Sequence, residues 1–378
     1  MLELYRQYGE KRKITGVYRE LPELNAAHLA RKLDFSSNDY LGLGQRKELL
    51  HAAIQAGERD GTGATGSRLL SGNKPIFETL ESCIARDKGT QSALLFNSGF
   101  QANLTVLASL LDSRVLKAKP IVFFDRLNHA SLYQAIFLSG AELVRYRHLD
   151  CDHLASCLAQ FSHDSRPKFI VTETLFGMDG DVVSLSNILE LARTHRAFLY
   201  LDEAHAVGMM GKNGYGLSTT IVHDVPSLVM GTLSKAVGCS GAYVACNTNV
   251  KEYLINKAEG FIYSTANSPM VIGAALKAWE MIPTFDEERK RLLALADELR
   301  ARLSVLGFNT GASVSHIIPL IVGKASLAQL NAKLLTAGIV ASLVRPPTVP
   351  PGGERLRLAL NVGHTKQDID DLMDVLQS

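Results

Sequence analysis

The stretch Gly231-Thr232-Leu233-Ser234-Lys235-Ala236-Val237-Gly238-Cys239-Ser240-Gly241-Ala242-Tyr243 decides how this chain is read. One apolar run, Ser227–Met230, leads into it, and a second, Ala242–Ala245, leads out. Small residues surround the lysine, so a flat ligand can approach its amine closely. Burial disfavours the charged ammonium, and a neutral amine can form a Schiff base. On these residues alone a solvated loop lysine is the competing reading.

Working outward, short apolar runs alternate with helical patterns. Strands are expected at Ser92–Phe96, Ile121–Phe124, Leu143–Tyr146, Phe169–Thr172, Phe198–Leu201 and Leu228–Met230. Helices are expected at Lys47–Glu58, Pro75–Arg86, after Phe100, from Ala130, and near 151–160 and 185–195. This alternation predicts a mostly parallel sheet covered on both faces. A long helical stretch from Ser268 to Leu306, interrupted near Pro283, then precedes strands at Ile317–Val322, Ile339–Val344 and Leu356–Leu360. With helices at Ser326–Ala337 and from Lys366, these predict a smaller α+β unit.

In open parallel sheets, ligands bind beyond the carboxyl ends of the strands. That rule selects Ser98-Gly99-Phe100, Asn128-His129, Glu173-Thr174, Asp202-Glu203-Ala204-His205, and Thr232 with Ser234 and Lys235. Backbone N–H groups at Ser98–Phe100, opening a helix, suit a phosphate. A phosphate cradle, a lysine and a carboxylate facing a ring nitrogen are the parts that pyridoxal phosphate requires.

Other motifs weigh less. Gly61-Thr62-Gly63-Ala64-Thr65-Gly66 matches GxGxxG, but a helical segment precedes it, and a close-approach loop is expected instead. Asp202–His205 spells a helicase box without any GxxxxGK[ST] phosphate loop upstream. No HExxH or dense His/Cys cluster suggests a metal. Forty basic and thirty-eight acidic residues in 378 leave a net charge of +2, which points to neither a nucleic-acid nor a membrane surface. Five cysteines without a CxxC pair, and no apolar signal core in Met1–Arg6, predict a cytoplasmic protein with reduced thiols.

The chain resembles the α-oxoamine synthases, pyridoxal-phosphate enzymes of the aspartate-aminotransferase fold (fold type I). The resemblance rests on DFSSNDYLGL (34–43), FNSGFQAN (96–103), RLNHASL (126–132), TETLFGMDGD (172–181), LDEAH (201–205), GTLSKAVGCSGAY (231–243), FIYSTA (261–266) and RPPTVPPGGERLRLAL (345–360). It implies an N-terminal arm over 1–45, a large cofactor-binding α/β/α domain over 46–275 and a small α+β domain over 276–378. It implies that Lys235 holds the cofactor and moves the Cα proton, and that Asp202 pairs with the ring nitrogen. His205 meets the phenolic oxygen and His129 stacks on the ring. Ser98, Gly99, Phe100, Thr232 and Ser234 hold the phosphate, and Thr265 reaches that of a neighbouring subunit in a homodimer with shared sites. Arg345 takes the amino-acid carboxylate, Asn38 and Thr348 line the same pocket, and Arg19 lies near the acyl substrate. Relatives often carry serine at Gly177 and glycine at Ala206.

The doubled proline in RPPTVP most resembles the oxononanoate synthases. It implies condensation of L-alanine with a pimeloyl thioester, on coenzyme A or a carrier protein, in biotin biosynthesis. Sister synthases using glycine or serine, and an aminotransferase of the same fold, stay open as alternatives.

Overall fold

The computed structural model describes residues 1–21, 33–220 and 225–378. Strands form where short apolar runs, rich in β-branched and aromatic residues, meet turn signals. They are β1 (Leu33–Asp34), β2 (Ser92–Phe96), β3 (Ile121–Asp125), β4 (Glu142–Tyr146), β5 (Lys168–Glu173), β6 (Phe198–Asp202), β7 (Ser227–Thr232), β8 (Ala242–Cys246), β9 (Ile317–Ile321), β10 (Ile339–Val340), β11 (Ser342–Val344) and β12 (Arg355–Ala359). One seven-stranded sheet has the order β2-β8-β7-β6-β5-β3-β4.

Pairings among β7, β6, β5, β3 and β4 are all parallel, while β8 is antiparallel to both β7 and β2. The reversed strand has a useful consequence. Because β8 opposes both neighbours, β2 points the same way as β7, and the carboxyl ends of β2 and β7 share an edge with the other parallel strands. The expected fold class, a mostly parallel sheet with helices on both faces, is observed.

Both faces of the sheet are apolar, as coverage on both sides requires. In β3 the period of two sends Val122 and Phe124 to one face and Ile121 and Phe123 to the other. The first pair packs with Val106 and Leu107 of helix Gly99–Leu110 and with Leu132 and Ile136 of helix Ala130–Ser139. The second packs with Leu154 and Leu158 of helix Cys151–Gln160 and Ile188 of helix Leu185–Thr194. Each such fully buried side chain contributes roughly 1.5–3 kcal/mol.

β9, β11 and β12 form a three-stranded antiparallel sheet. Its Ile318, Leu320, Leu356 and Leu358 share one apolar cluster with Leu299, Leu334 and Leu372 from helices Asp286–Val305, Gly323–Thr336 and Lys366–Gln377. The same cluster takes in Phe35, Tyr40 and Trp279. On β12 the alternation Arg-Leu-Arg-Leu turns Arg355 and Arg357 away from these leucines and toward the large sheet.

The interruption expected near Pro283 is a 3-10 turn, Ile282–Phe285, between helices Pro269–Met281 and Asp286–Val305. Gly61–Gly66 is a loop between two helices, with Thr65 at φ 60° and no strand before it. The single strand expected over Ile339–Val344 is divided at Ala341. β10 pairs with β1, β11 with β12, and the two partners lie in different sheets. Helix Thr248–Lys257 went unforeseen because its apolar content is sparse; Leu254 is its one buried residue. No described helix is long and apolar enough to cross a membrane.

Candidate active site

Strand register delivers the polar set to one edge. Glu173 lies opposite Asp202, and Phe96 and Thr232 both lie opposite Ala242. In β6 the alternation places Tyr200 and Asp202 on the face covered by helix Gly99–Leu110, whose Asn103 ties them together. The Asn103 amide donates to Asp202 Oδ2 at 2.7 Å, and its oxygen accepts from the Tyr200 hydroxyl at 2.9 Å. The Ala204 N–H donates to Asp202 Oδ1 at 2.9 Å. Asp202 is 3% exposed, a carboxylate fixed in place by donors on both oxygens.

Lys235 follows β7 and is half-buried. Its Nζ lies 2.9 Å from His205 Nε2, and His205 Nδ1 lies 2.7 Å from the Tyr40 hydroxyl. Burial lowers the Lys235 pKa to about 8, opposed by the charges of Asp202 and Glu173. Burial, aided by Lys235 and Arg357, holds His205 well below the usual histidine range, so its ring is neutral. A lysine whose hydrogen-bond partner is a neutral imidazole keeps a usable fraction of free amine near neutral pH.

At the β2 and β7 ends, Ser98 caps helix Gly99–Leu110, accepting from Gln101 N at 3.2 Å. The Thr232 and Ser234 hydroxyls are 2.7 Å apart, and a Cβ on Gly99 would stand 3.7 Å from Thr232 Oγ1. Ser98, Gly99, Thr232 and Ser234 therefore converge. Phe100 is 44% exposed, and its ring meets that of His129 edge-on at 6.4 Å between centroids. Thr265 is close by in the same chain, its carbonyl accepting from Asn97 Nδ2 at 2.8 Å.

His129 caps the next helix with an exposed ring, its Nδ1 2.7 Å from Ser131 Oγ. Its N–H donates to Glu173 Oε1 at 2.7 Å. Asn128 bonds β5 on both sides, to Val171 O at 2.8 Å and from Glu173 N at 3.1 Å. Burial, with Asp202 adding to it, pushes the Glu173 carboxyl well above the ordinary range.

The substrate residues divide. Asn38 Oδ1 accepts from Tyr40 and from Arg357 Nη2, each at 3.0 Å, and Arg357 also donates to the Tyr40 hydroxyl at 3.0 Å and to the Gly177 carbonyl. Lys235, His205, Tyr40, Arg357 and Asn38 thus form one connected chain. Arg345 lies outside it and donates to the Tyr18 carbonyl, while Arg19 donates to Thr348 Oγ1 at 3.1 Å. Gly177 has a steric role in this arrangement, since a Cβ there would stand 2.0 Å from His205 Nε2. Arg357, Tyr40 and Asn103 belong to this site although no sequence motif singles them out. A charged residue at alternate positions of the apolar strand RLRLAL was the available signal for Arg357.

Residues 30–376 match the family model for class I and II aminotransferases. The chain is 44% identical over 370 residues to the 8-amino-7-oxononanoate synthase of Gluconacetobacter diazotrophicus, covering 97% of this chain and 92% of that relative. The chain belongs to this aminotransferase family, in its 8-amino-7-oxononanoate synthase group. Members of the group are pyridoxal-phosphate-dependent acyltransferases. Among solved structures, the 8-amino-7-oxononanoate synthase of Francisella tularensis aligns with a TM-score of 0.78 at 28% identity, over 91% of this chain and 96% of its own. Serine palmitoyltransferase of Sphingomonas wittichii aligns with a TM-score of 0.85 at 28% identity, over 91% and 86%.

The cofactor of this family is pyridoxal phosphate, and the residues present fit it. A helix N-terminus with paired hydroxyls suits a phosphate, a buried aspartate suits a pyridinium, and a lysine of lowered pKa suits the aldehyde. No group of His, Cys, Asp and Glu able to hold a metal occurs among the described residues.

Proposed function

We propose that this enzyme condenses L-alanine with a pimeloyl thioester, carried by coenzyme A or a carrier protein, with release of the carrier's free thiol and loss of carbon dioxide. The product is 8-amino-7-oxononanoate, a step of biotin biosynthesis. Near-complete coverage at 44% identity to the Gluconacetobacter diazotrophicus enzyme carries this reading.

When bound, the cofactor supplies an electron sink for negative charge at the amino-acid Cα. The chain's own residues do the rest. Lys235 would provide the amine that holds the cofactor, and its free amine would take and return the alanine Cα proton. Asp202, fixed by Asn103, keeps the ring nitrogen protonated. His205, neutral and held by Tyr40, would meet the phenolic oxygen of the cofactor. His129 offers an open ring to stack against, and Ser98, Gly99, Thr232 and Ser234 hold the phosphate.

Arg357 is the better-placed guanidinium for the alanine carboxylate, because it joins Asn38 and the Lys235 chain, whereas Arg345 is turned to Tyr18. Arg19, which donates to Thr348 Oγ1, would contact the acyl substrate, and Thr348 would line the neighbouring amino-acid pocket. A second copy completes the site through Thr265, and sedimentation of the holoenzyme as a dimer checks this.

The decisive experiment is product analysis with alanine, glycine and serine, each paired with acyl thioesters of several lengths. Alanine with the pimeloyl thioester should give the only efficient turnover. Preference for glycine or serine would move the enzyme to a sister activity. Amino transfer without any thioester would make it an aminotransferase. Purified Lys235→Ala protein should lose the visible absorption of the bound cofactor.

A further inference from the structure

His148, two residues beyond β4, takes no part in the chemistry above, yet it joins two of the elements that border the site. Its Nδ1 lies 2.8 Å from Asp125 Oδ1 and its Nε2 lies 2.9 Å from Asp181 Oδ2. Carboxylate oxygens only accept, so both ring nitrogens must carry hydrogen, which is true of the imidazolium alone. Asp125 is fully buried and Asp181 is 5% exposed.

Each aspartate governs an active-site loop. Asp125 also accepts from Leu127 N at 2.9 Å, inside the loop that ends at His129, and from Leu149 N at 2.9 Å. Leu149 adopts φ 53°, a conformation that side-chain-bearing residues rarely take. Asp181 closes the turn between the bridged residues Leu175 and Val182, its carbonyl accepting from Phe176 N at 3.0 Å. Phe176 packs edge-on against the imidazole, with centroids 4.5 Å apart. That turn carries Gly177, which receives Arg357 and leaves no room for a Cβ beside His205, and Asp179, which pairs with Arg355.

We propose that His148 is a positioning residue, an imidazolium clamp that fastens the His129 loop to the Gly177 turn and so keeps His205 and Arg357 aligned. This rests on the reading that both loops border the cofactor. The charges acting on the ring are Asp125 from β3 and Asp181 from the turn; on its own segment Arg147 is paired with Asp150, and the Tyr146 hydroxyl, buried beside Asp125, stays protonated. Burial works against the imidazolium, but the hydrogen bonds and charges of the two aspartates outweigh it and raise the ring to about 9.

The test uses holoenzyme and the variants His148→Gln and Asp181→Asn. Amide exchange of residues 176–181, corrected for intrinsic rates, and kcat are followed from pH 7 to 10. In the natural protein, protection of the turn and kcat should fall together as pH passes about 9. His148→Gln should show roughly tenfold lower protection and kcat already at pH 7.5, with no alkaline limb near 9. Asp181→Asn, which removes one of the two supporting charges, should move the limb to lower pH and carries the test if His148→Gln does not fold. Unchanged protection in His148→Gln, or one common limb in all three proteins, would overturn the clamp. If the natural protein binds no cofactor or makes no product, the proposed function fails, while the exchange measurement still judges the clamp.

Discussion

Two lysines lie close to the same pair of consecutive residues and behave as opposites. Lys88 is fully buried and donates to Glu203 and to the Tyr215 carbonyl. Lys235 donates to no carboxylate among the described residues, and its partner is the neutral ring of His205. Adjacent residues at the end of β6 point to opposite faces, so Asp202 meets Asn103 while Glu203 meets Lys88. Burial pulls both ammonium groups below the ordinary lysine range. For Lys88 the Glu203 carboxylate opposes this at contact distance; for Lys235 the opposing charges, Asp202 and Glu173, make no hydrogen bond to it. A buried lysine given a carboxylate becomes structure, and one given a neutral imidazole stays available for chemistry.

That contrast can be broken at either end. Lys235→Ala should lower kcat by about 10⁴-fold, more than 5 kcal/mol of barrier, with a melting temperature near that of the natural apoprotein. Lys88→Met should do the reverse. Glu203 would keep its bonds from Ser218 but lose its cation, and stranding a buried charge costs about 3–5 kcal/mol. The denaturation midpoint should drop sharply while kcat per folded molecule stays within about twofold; replacing Glu203 by leucine in the same chain should recover part of the loss. Tyr40→Phe cuts the link between His205 and Arg357, and should lower kcat by about 10–100-fold without a comparable loss of stability. Steady-state kinetics and urea titration on one preparation separate the three.

The part of this contrast that was legible in the sequence was the edge of the sheet. Apolar runs ending in Leu201, Met230 or Phe96 announce strands, and the rule for carboxyl ends then points to Ser98, His129, His205 and Lys235. The partner relations were not legible. Nothing near Lys88 tells that its carboxylate lies 115 residues away, and nothing near Asp202 names Asn103. Such contacts depend on which helix covers which face and on side-chain reach, and these are settled only by packing. Arg345 and Arg357 show the same limit. Both sit in one quoted stretch, but only the pleat of β12 and its place over the Gly177 turn distinguish their surroundings.

The smallest effect tests the comparison most finely. The Lys235 pKa is about 8 in the folded chain against 10.5 for the free side chain. Between those values the unfolded chain binds more protons, so stability rises with pH across that window. Below pH 8 the folded state bears the whole cost of a charged, poorly partnered amine; above about 10.5 it bears none. Apoprotein carrying Lys235→Met should therefore be more stable than the natural apoprotein at pH 7, and the advantage should shrink steadily as pH rises past 8. Lys88→Met should stay destabilised over the same range, because its cost comes from the stranded Glu203. Urea midpoints of the three apoproteins at pH 7, 8 and 9 decide the matter. A Lys235→Met protein no more stable than the natural one at pH 7 would mean that Lys235, like Lys88, is held as a contented ion, and the distinction between the two lysines would fall.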